Sequence, residues 1–190
     1  MEQTLRQLLG DRIETKRLIL KRMTPKDAHL LWKLYKEKGN QWFFPSWKKL
    51  PTRKEIMSDL NYREEPHYAI IHKKNKKFLG LVGMYGGREF ISAGRVFYIF
   101  YFLHQQYEGN GYMTEAVNAL CRKLRHCHTP YRITLSIDEK NRKSLRVAQK
   151  CGFDWKATDF CHHFTLVPPR YEKPLYKGIE KVDWDSLTAA

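Results

Sequence analysis

The sequence lacks a long hydrophobic run, a paired-cysteine motif and an apolar N-terminal segment. Without the roughly 20 consecutive apolar residues of a transmembrane helix, we expect no membrane association. The first ten residues do not resemble a secretory signal peptide. The four cysteines show no C-x-x-C spacing, and His162 and His163 beside Cys161 favour a strand over a metal site. We therefore expect reduced thiols, no bound metal and a cytoplasmic location.

Standard nucleotide-binding fingerprints are also missing, and acidic residues are scarce. There is no Gly-Lys-Ser/Thr P-loop, and no third glycine completes a Rossmann fingerprint. Lys and Arg total 35 against 20 Asp and Glu, which gives a formal net charge of +15. This excess favours phosphorylated ligands, acidic proteins or other polyanions, although a generally basic surface explains it equally well. No aromatic-and-basic RNA-binding motif is visible.

What the sequence contains predicts one domain over residues 1–190, with a core at about 13–167 and a polar tail at 168–190. Hydrophobic residues make up 42% of the chain, which is enough for a packed core. The apolar periodicities predict the order β, α, α, β, β, β, α, β, α, β, β, hence an α/β (α+β) fold with a mixed sheet and helices on both faces. An aromatic loop at 40–51 is expected to face a substrate in part. The oligomeric state, monomer or homodimer, stays open.

The central feature of the sequence runs from Arg95 to Glu115. Residues 96–103 are uninterrupted β-branched, aromatic and aliphatic residues, typical of a strand buried on both faces. Gly109 and Gly111 follow, and a helical periodicity begins after them. Glycines permit close backbone approach, and the first N–H groups of a helix bind anions. The stretch predicts a pyrophosphate site, although an ordinary tight turn fits the glycines about as well.

Three segments, in this order, resemble the GNAT family of N-acetyltransferases. Within that family they are most similar to the RimJ/RimL-like branch that acetylates ribosomal-protein N-termini. The first segment is ETKRLILKRM at 14–23, followed by TPKDA. The second is YFL at 101–103 with YEGNGYMTEA at 107–116. The third is NRKS at 141–144, continuing to KCGF at 150–153.

The resemblance implies the GNAT fold, with a mostly antiparallel sheet of about six to seven strands and a splayed central strand pair. It implies acetyl-CoA as the acetyl donor and no metal. The pantetheine arm would pair with the splayed strand and the pyrophosphate with the loop amides. The implied cofactor-binding residues are Phe102, Leu103, Glu108, Gly109, Asn110, Gly111, Tyr112, Met113, Thr114, Asn141 and Ser144. Asn141 suits a helix N-cap equally well.

The loop departs from the family consensus Gln/Arg-x-x-Gly-x-Gly/Ala. A literal match begins at Gln106, whereas the flanking residues favour a register that begins at Glu108. In that register an acid stands where Gln or Arg is usual, and Met113 stands where a small residue is usual. A carboxylate beside a pyrophosphate costs Coulomb energy unless it points away.

Acetyl transfer from a thioester to an amine needs a base, donors for the oxyanion and an acid for the leaving thiolate. Tyr98 occupies the position where relatives often carry an acidic residue. Tyrosine is a weak base at neutral pH, so a water-relayed proton path or another residue, Glu89 or His104, would be needed. Ser144 matches a RimL-like serine near the thioester, with an ordinary polar helix residue as the alternative.

The resemblance therefore implies direct acetyl transfer, in a ternary complex, to a primary amine, most simply a protein N-terminal amine. A basic enzyme is poorly matched to a polyamine. The charge suggests contact with the ribosome or another polyanion, and collection of the anionic cofactor explains it as an alternative. Alternatives are a small-molecule amine acetyltransferase, a catalytically weak or inactive binding protein of this fold, and a nucleic-acid-associated protein.

Overall fold

The structure is a computed structural model that describes residues 4–37, 50–62, 65–91, 94–127, 131–158, 162–166 and 180–188. The predicted aromatic loop at 40–51 lies almost entirely outside these ranges. The helices are α1 Leu5–Leu9, α2 Ala28–Tyr35, α3 Arg53–Tyr62, α4 Tyr112–Leu124, α5 Arg142–Lys150 and α6 Trp184–Thr188. The strands are β1 Arg12–Glu14, β2 Leu18–Arg22, β3 His67–His72, β4 Phe78–Ile91, β5 Gly94–Leu103, β6 Tyr131–Ile137, β7 Trp155–Thr158, β8 His162–Leu166 and β9 Glu180–Lys181.

In the described part of the chain, the strands form one sheet in the order β1-β2-β3-β4-β5-β6-β8-β7-β9. Every neighbouring pair is antiparallel except β5 and β6, which are parallel. The two edge strands are only three and two residues long, so seven longer strands make up the body of the sheet. The predicted mixed, mostly antiparallel sheet is confirmed.

Helices cover both faces of the sheet because the strand residues alternate between two apolar clusters. On one face, Tyr68 and Ile70 join a large cluster that includes residues of α1, α4 and α5. On the other face, Ala69 and Leu81 pack with residues of α2 and α3. The period-two alternation of strand side chains explains this division, and the predicted helices on both faces are confirmed.

The central strands separate at one point. β5 and β6 pair from Arg95 opposite Tyr131 as far as Tyr98 opposite Thr134, and the pairing then stops. Both strands continue, β5 to Leu103 and β6 to Ile137. The backbone of the second half of β5 therefore lacks a strand partner on the β6 side, and the predicted splayed pair is confirmed. We call this opening the fork.

Local details differ from the sequence-based expectation. The predicted order has one strand before its first helix, whereas the structure has two, β1 and β2, because a turn closes between Thr15 and Leu18 with a distance of 3.0 Å from Thr15 N to Leu18 O. The strand β4 continues past Gly86, and the β4–β5 register shifts between Gly86 and Phe90. Part of the tail beyond 168 adds β9 and α6 to the fold. None of the helices in the described ranges is long and apolar enough to cross a membrane.

Candidate active site

A cavity of about 640 Å³ opens at the fork. Three parts of the chain form its walls: the end of β5 beyond its pairing with β6, the loop before α4 with the first residues of that helix, and α5 with the two residues before it. Its lining residues are Tyr101, Phe102, Leu103, Glu108, Gly109, Gly111, Tyr112, Met113, Thr114, Lys140, Asn141, Arg142, Lys143, Ser144, Arg146, Val147 and Lys150.

The loop before α4 has the geometry of an anion site. Gly109 and Gly111 have φ of +75° and +73°, which glycine adopts readily and other residues adopt at a cost. Gly111 is the N-cap of the 13-residue helix α4 and has no side chain to cap its first N–H groups. The amides of the first turn, which have no partner within the helix, and the positive end of the helix dipole therefore lie at the cavity. These residues fit a diphosphate group.

Glu108 lines this cavity, but its carboxylate is paired. Lys143 Nζ donates a hydrogen bond to Glu108 Oε2, from α5 to the loop, and both residues line the cavity. The carboxylate is therefore compensated by a cation from the opposite wall. The unfavourable charge that the sequence places in the loop is offset locally, although the Lys143 side chain is 74% exposed and the pair is partly screened.

Basic side chains dominate one wall of the cavity. Five of the lining residues are cationic, and Glu108 is the one acid among the residues that line it. All five lie on α5 or directly before it, and we call them the basic wall: Lys140, Arg142, Lys143, Arg146 and Lys150. A concave surface lined by one sign of charge concentrates counter-charged ligands.

The start of α5 positions Ser144 against β5. Asn141 caps the helix, with its side-chain Oδ1 accepting a hydrogen bond from Ser144 N at 3.1 Å. The Tyr101 hydroxyl donates to the Ser144 carbonyl oxygen at 3.4 Å. Burial raises the pKa of Tyr101 well above its usual range, so the hydroxyl stays protonated at neutral pH. Asn141, Ser144 and Tyr101 therefore meet at one side of the cavity.

Tyr98 lies at the last paired position of the fork rather than among the cavity-lining residues. Its ring stacks on Tyr85, with centroids 5.1 Å apart and an interplanar angle of 14°. Tyr85 is 38% exposed. The His104 Nδ1 contacts the Glu37 carboxylate, which also accepts from the Gln105 backbone at 3.2 Å, away from the cavity lining. The side chain of Glu89 lies outside the described residues.

The structure brings ten of the eleven predicted cofactor-binding residues to one cavity. The exception is Asn110, whose Nδ2 donates to the carbonyl oxygens of Tyr107 and Glu108 at 3.2 and 2.9 Å. Met113 is only 6% exposed and belongs mainly to the core. The roles of these residues stay predictions.

Sequence reasoning missed the basic wall and Tyr101. The i, i+4, i+8 spacing of Arg142, Arg146 and Lys150 places them on one helix face. This pattern can be recognised in the sequence of the same predicted helix that carries Ser144. Tyr101 and Leu103 are two residues apart on β5, so their side chains point to the same face of the sheet. The sequence therefore also indicates that Tyr101 lies beside Leu103 at the site.

The described residues hold no group of three or more metal-ligating side chains. The three described cysteines are free thiols: Cys121, Cys127 and Cys151. Burial raises the pKa of Cys151 to about 12 and that of Cys121 still further, so both are neutral and unreactive at neutral pH.

Comparison with known proteins identifies a family match over most of the chain. A family model described as an acetyltransferase (GNAT) domain matches residues 17–154. A Bacillus subtilis protein whose name describes it as the N-acetyltransferase YjcK is 30% identical over 99 residues, which cover 52% of this chain. That match spans 54% of the relative's own length, so the chain corresponds to about half of it.

Solved structures with the same fold differ in the acceptors that they are named for. RimL, a ribosomal α-N-protein acetyltransferase in complex with coenzyme A, is similar with a TM-score of 0.63 and 15% identity, covering 82% of this chain and 97% of that one. A chimera of the spermidine N-acetyltransferase SpeG from Vibrio cholerae and hSSAT has the same TM-score and identity, covering 82% and 98%. At this identity the likeness concerns the fold.

Proposed function

The chain belongs to the GNAT family of acetyltransferases, and from this premise we propose that it transfers an acetyl group from acetyl-CoA to a primary amine. The amine is a protein N-terminal amine, as in the RimJ/RimL-like branch, and transfer is direct, in a ternary complex. The site of the reaction is the fork in the cytoplasmic enzyme.

One observation carries the proposal: the fork, the glycine loop and the basic wall border the same cavity. Beyond Tyr98, the side of β5 that faces β6 offers an edge to which an extended amide-containing arm adds like a strand. The loop amides and the α4 dipole fit a diphosphate. The basic wall fits the remaining phosphate charge. An extended amide arm attached to a phosphorylated nucleotide is the chemistry of coenzyme A.

The residues at the α5 end of the cavity are assigned to the thioester. Ser144 is held by the Asn141 cap, and the protonated Tyr101 hydroxyl lies against the same turn. We assign Ser144 to the end of the cavity that holds the thioester, where its hydroxyl protonates the leaving thiolate. Tyr98, at the fork and stacked on Tyr85, is assigned to the acceptor side, where it relays the amine proton through water.

Charge supports a protein N-terminus over a polyamine. The chain carries a net charge of +15, which repels a polycation and attracts a ribosome or another polyanionic assembly that presents the acceptor. The RimL structure, named for a ribosomal α-N-protein activity, and the SpeG chimera are equally similar to this chain, so the choice between their acceptors rests on the charge. Because the SpeG chimera is named for spermidine, spermidine serves as the comparison acceptor in the tests.

The first test is thermal stability in the presence of acetyl-CoA. A ligand that binds only the native state at 100 times its Kd adds about 2.7 kcal/mol, which raises Tm by roughly 5–10 °C for a chain of this size. ATP tests whether a nucleotide alone stabilises the protein, and desulfo-CoA tests whether the thiol is needed for stabilisation. Acetylation of N-terminal peptides and of spermidine is then followed by mass spectrometry.

The outcomes separate the candidate functions. Peptide acetylation with little spermidine acetylation supports the proposal, and the reverse preference replaces the acceptor. Stabilisation by acetyl-CoA without turnover on any amine favours an inactive binding protein, a possibility that the replacement of the usual acid by Tyr98 motivates. Absence of any shift at millimolar acetyl-CoA contradicts the enzyme assignment.

A further inference from the structure

Arg17 connects the N-terminal part of the chain to the glycine loop. It lies in the turn between β1 and β2, 98 residues before Glu115 in the first turn of α4. The Arg17 backbone N–H donates to Glu115 Oε1 at 2.8 Å, and its Nε donates to Oε2 at 2.6 Å. The Thr15 hydroxyl donates to the same Oε1 at 2.5 Å. Three donors from one turn therefore converge on a single carboxylate.

The far end of the Arg17 guanidinium reaches the loop itself. Its Nη1 donates to the carbonyl oxygen of Asn110 at 3.0 Å, and its Cζ lies 4.7 Å from the centroid of the Tyr112 ring. Its Nη2 would be 3.6 Å from a Cβ placed on Gly111. One side chain thus contacts Asn110 and Tyr112, the residues on either side of Gly111, at the point where the loop becomes α4.

The contact with Asn110 completes the anchoring of the loop. The Asn110 side chain is bonded to the carbonyls of Tyr107 and Glu108, and Arg17 holds its main-chain carbonyl. Gly109 and Gly111 on either side have positive φ and high intrinsic freedom. Without external contacts, two such glycines would populate many loop conformations in the free protein. The Arg17 bond restricts the segment that they flank.

The Arg17–Glu115 pair is ionised at neutral pH. Burial alone raises the pKa of Glu115, but the hydrogen bonds from Thr15 and Arg17 and the Arg17 charge outweigh it and hold that pKa below its usual value. Because Glu115 Oε2 lies 2.6 Å from Arg17 Nε, most of the Arg17 charge is neutralised. Arg17 therefore affects the binding of a nearby ligand mainly by fixing the geometry of the loop, and less through its own charge.

We propose that Arg17 is a positioning residue for the diphosphate of acetyl-CoA. Arg17 fixes the Asn110–Tyr112 segment in its anion-binding conformation before the ligand binds. The inference rests on the proposed function, because it concerns the same cavity. A loop that is already ordered loses less conformational entropy on binding, and affinity rises accordingly. The residue acts through the loop and is not assigned to the chemical step.

The test compares two ligands on Arg17→Gln and Arg17→Lys. Acetyl-CoA is titrated by calorimetry, and S-acetylpantetheine, which has the thioester arm but no phosphate, by thermal shift at millimolar concentration. We expect both variants to bind acetyl-CoA about tenfold more weakly, a loss within the range of one or two hydrogen bonds, and to bind S-acetylpantetheine like the wild type. Arg17→Lys matters because lysine keeps the charge without the forked geometry.

The matched control is Arg12→Gln, which removes another exposed arginine that is paired with a carboxylate, Glu14, at 2.8 Å. It should leave both affinities unchanged. Wild-type binding of acetyl-CoA by Arg17→Gln overturns the proposal. So does equal weakening of both ligands, because that pattern indicates a general structural defect. Arg17→Lys supplies the comparison should Arg17→Gln melt below the assay temperature. Failure of the wild type to bind acetyl-CoA contradicts the proposed function itself.

Discussion

At the scale of single residues, the backbone conformation of Gly111 restricts which residue types can occupy its position. With φ of 73° and ψ of 10°, it is in the left-handed region, where an L-residue costs about 1–2 kcal/mol. An added Cβ would meet only Arg17 Nη2, at 3.6 Å, so the cost is backbone strain. We expect Gly111→Ala to lower the free energy of unfolding by that amount and to raise the acetyl-CoA Kd about tenfold, measured by urea denaturation and calorimetry.

Gly10→Ala is the control for backbone strain away from the cavity. Gly10 has φ of +73° and ψ of −178°, a region that almost only glycine adopts, so alanine costs at least as much there as at Gly111. Nothing lies within 4 Å of an added Cβ, and Gly10 is at the end of α1 outside the cavity lining. It should lose stability and keep its acetyl-CoA affinity. Were Gly111→Ala also destabilised but unchanged in binding, the loop conformation would not be the one that acetyl-CoA uses.

The Glu108–Lys143 pair predicts two substitutions with opposite effects. Glu108→Gln removes a carboxylate from the cavity and releases Lys143, so acetyl-CoA binding should tighten about threefold. Lys143→Gln exposes the Glu108 carboxylate to the phosphates, so binding should weaken by a similar factor. Both magnitudes are small because the pair is partly exposed and exposed charge pairs contribute about 0–1 kcal/mol.

Lys33→Gln on α2 controls for the loss of one positive charge at an exposed site away from the cavity. It should leave the calorimetric Kd unchanged. A shift of the same sign in Glu108→Gln and Lys143→Gln would show that the pair orders the loop mechanically, and the electrostatic explanation would be wrong.

The start of α5 is the element in which stability and binding can be separated. Asn141 caps the helix through Oδ1, and the family resemblance implies that it also bonds the pantetheine arm. Serine is an equally good N-cap, whereas alanine loses about 1 kcal/mol. We expect Asn141→Ser to preserve the free energy of unfolding and yet weaken acetyl-CoA and S-acetylpantetheine about fivefold each, because the lost amide donor would act on the shared arm.

Asn141→Ala provides the complementary measurement, since it should lose both the cap and the contact. If Asn141→Ser binds both ligands normally while Asn141→Ala is merely less stable, Asn141 is only a helix cap. Equal weakening of the two ligands is the distinguishing sign here, in contrast to the phosphate-dependent effect expected for Arg17.

Elements defined by local pattern were predictable from the sequence, and contacts between distant segments were not. The apolar run of β5, the glycines after it and the amphipathic α4 are encoded in neighbouring residues, so the strand, loop and helix were predicted together. The position of β8 between β6 and β7 depends on long-range pairing that no local signal specifies. The same holds for Arg17, whose partner lies 98 residues away in sequence. The fork was predicted from the family resemblance and not from the periodicity of the sequence.

At the scale of the whole molecule, the question is whether the net charge of +15 or the basic wall attracts the anionic donor. The wall carries five cations and lies at the cavity, whereas the rest of the excess is distributed over the chain. The Debye length is about 10 Å at 0.1 M salt and about 3 Å at 1 M. Distant charges are therefore screened well before those that line the cavity.

We expect the acetyl-CoA Kd to rise about tenfold between roughly 0.05 and 0.5 M NaCl, while S-acetylpantetheine binding stays constant because it carries no phosphate. The double variant Arg146→Gln/Lys150→Gln should bind acetyl-CoA more weakly at low salt and lose most of this dependence. The double variant Lys33→Gln/Lys36→Gln, which removes two cations at and just beyond the end of α2, should retain it. If the wall variant keeps the full salt dependence, the attraction comes from the distributed charge, and the wall has no special part in binding the donor.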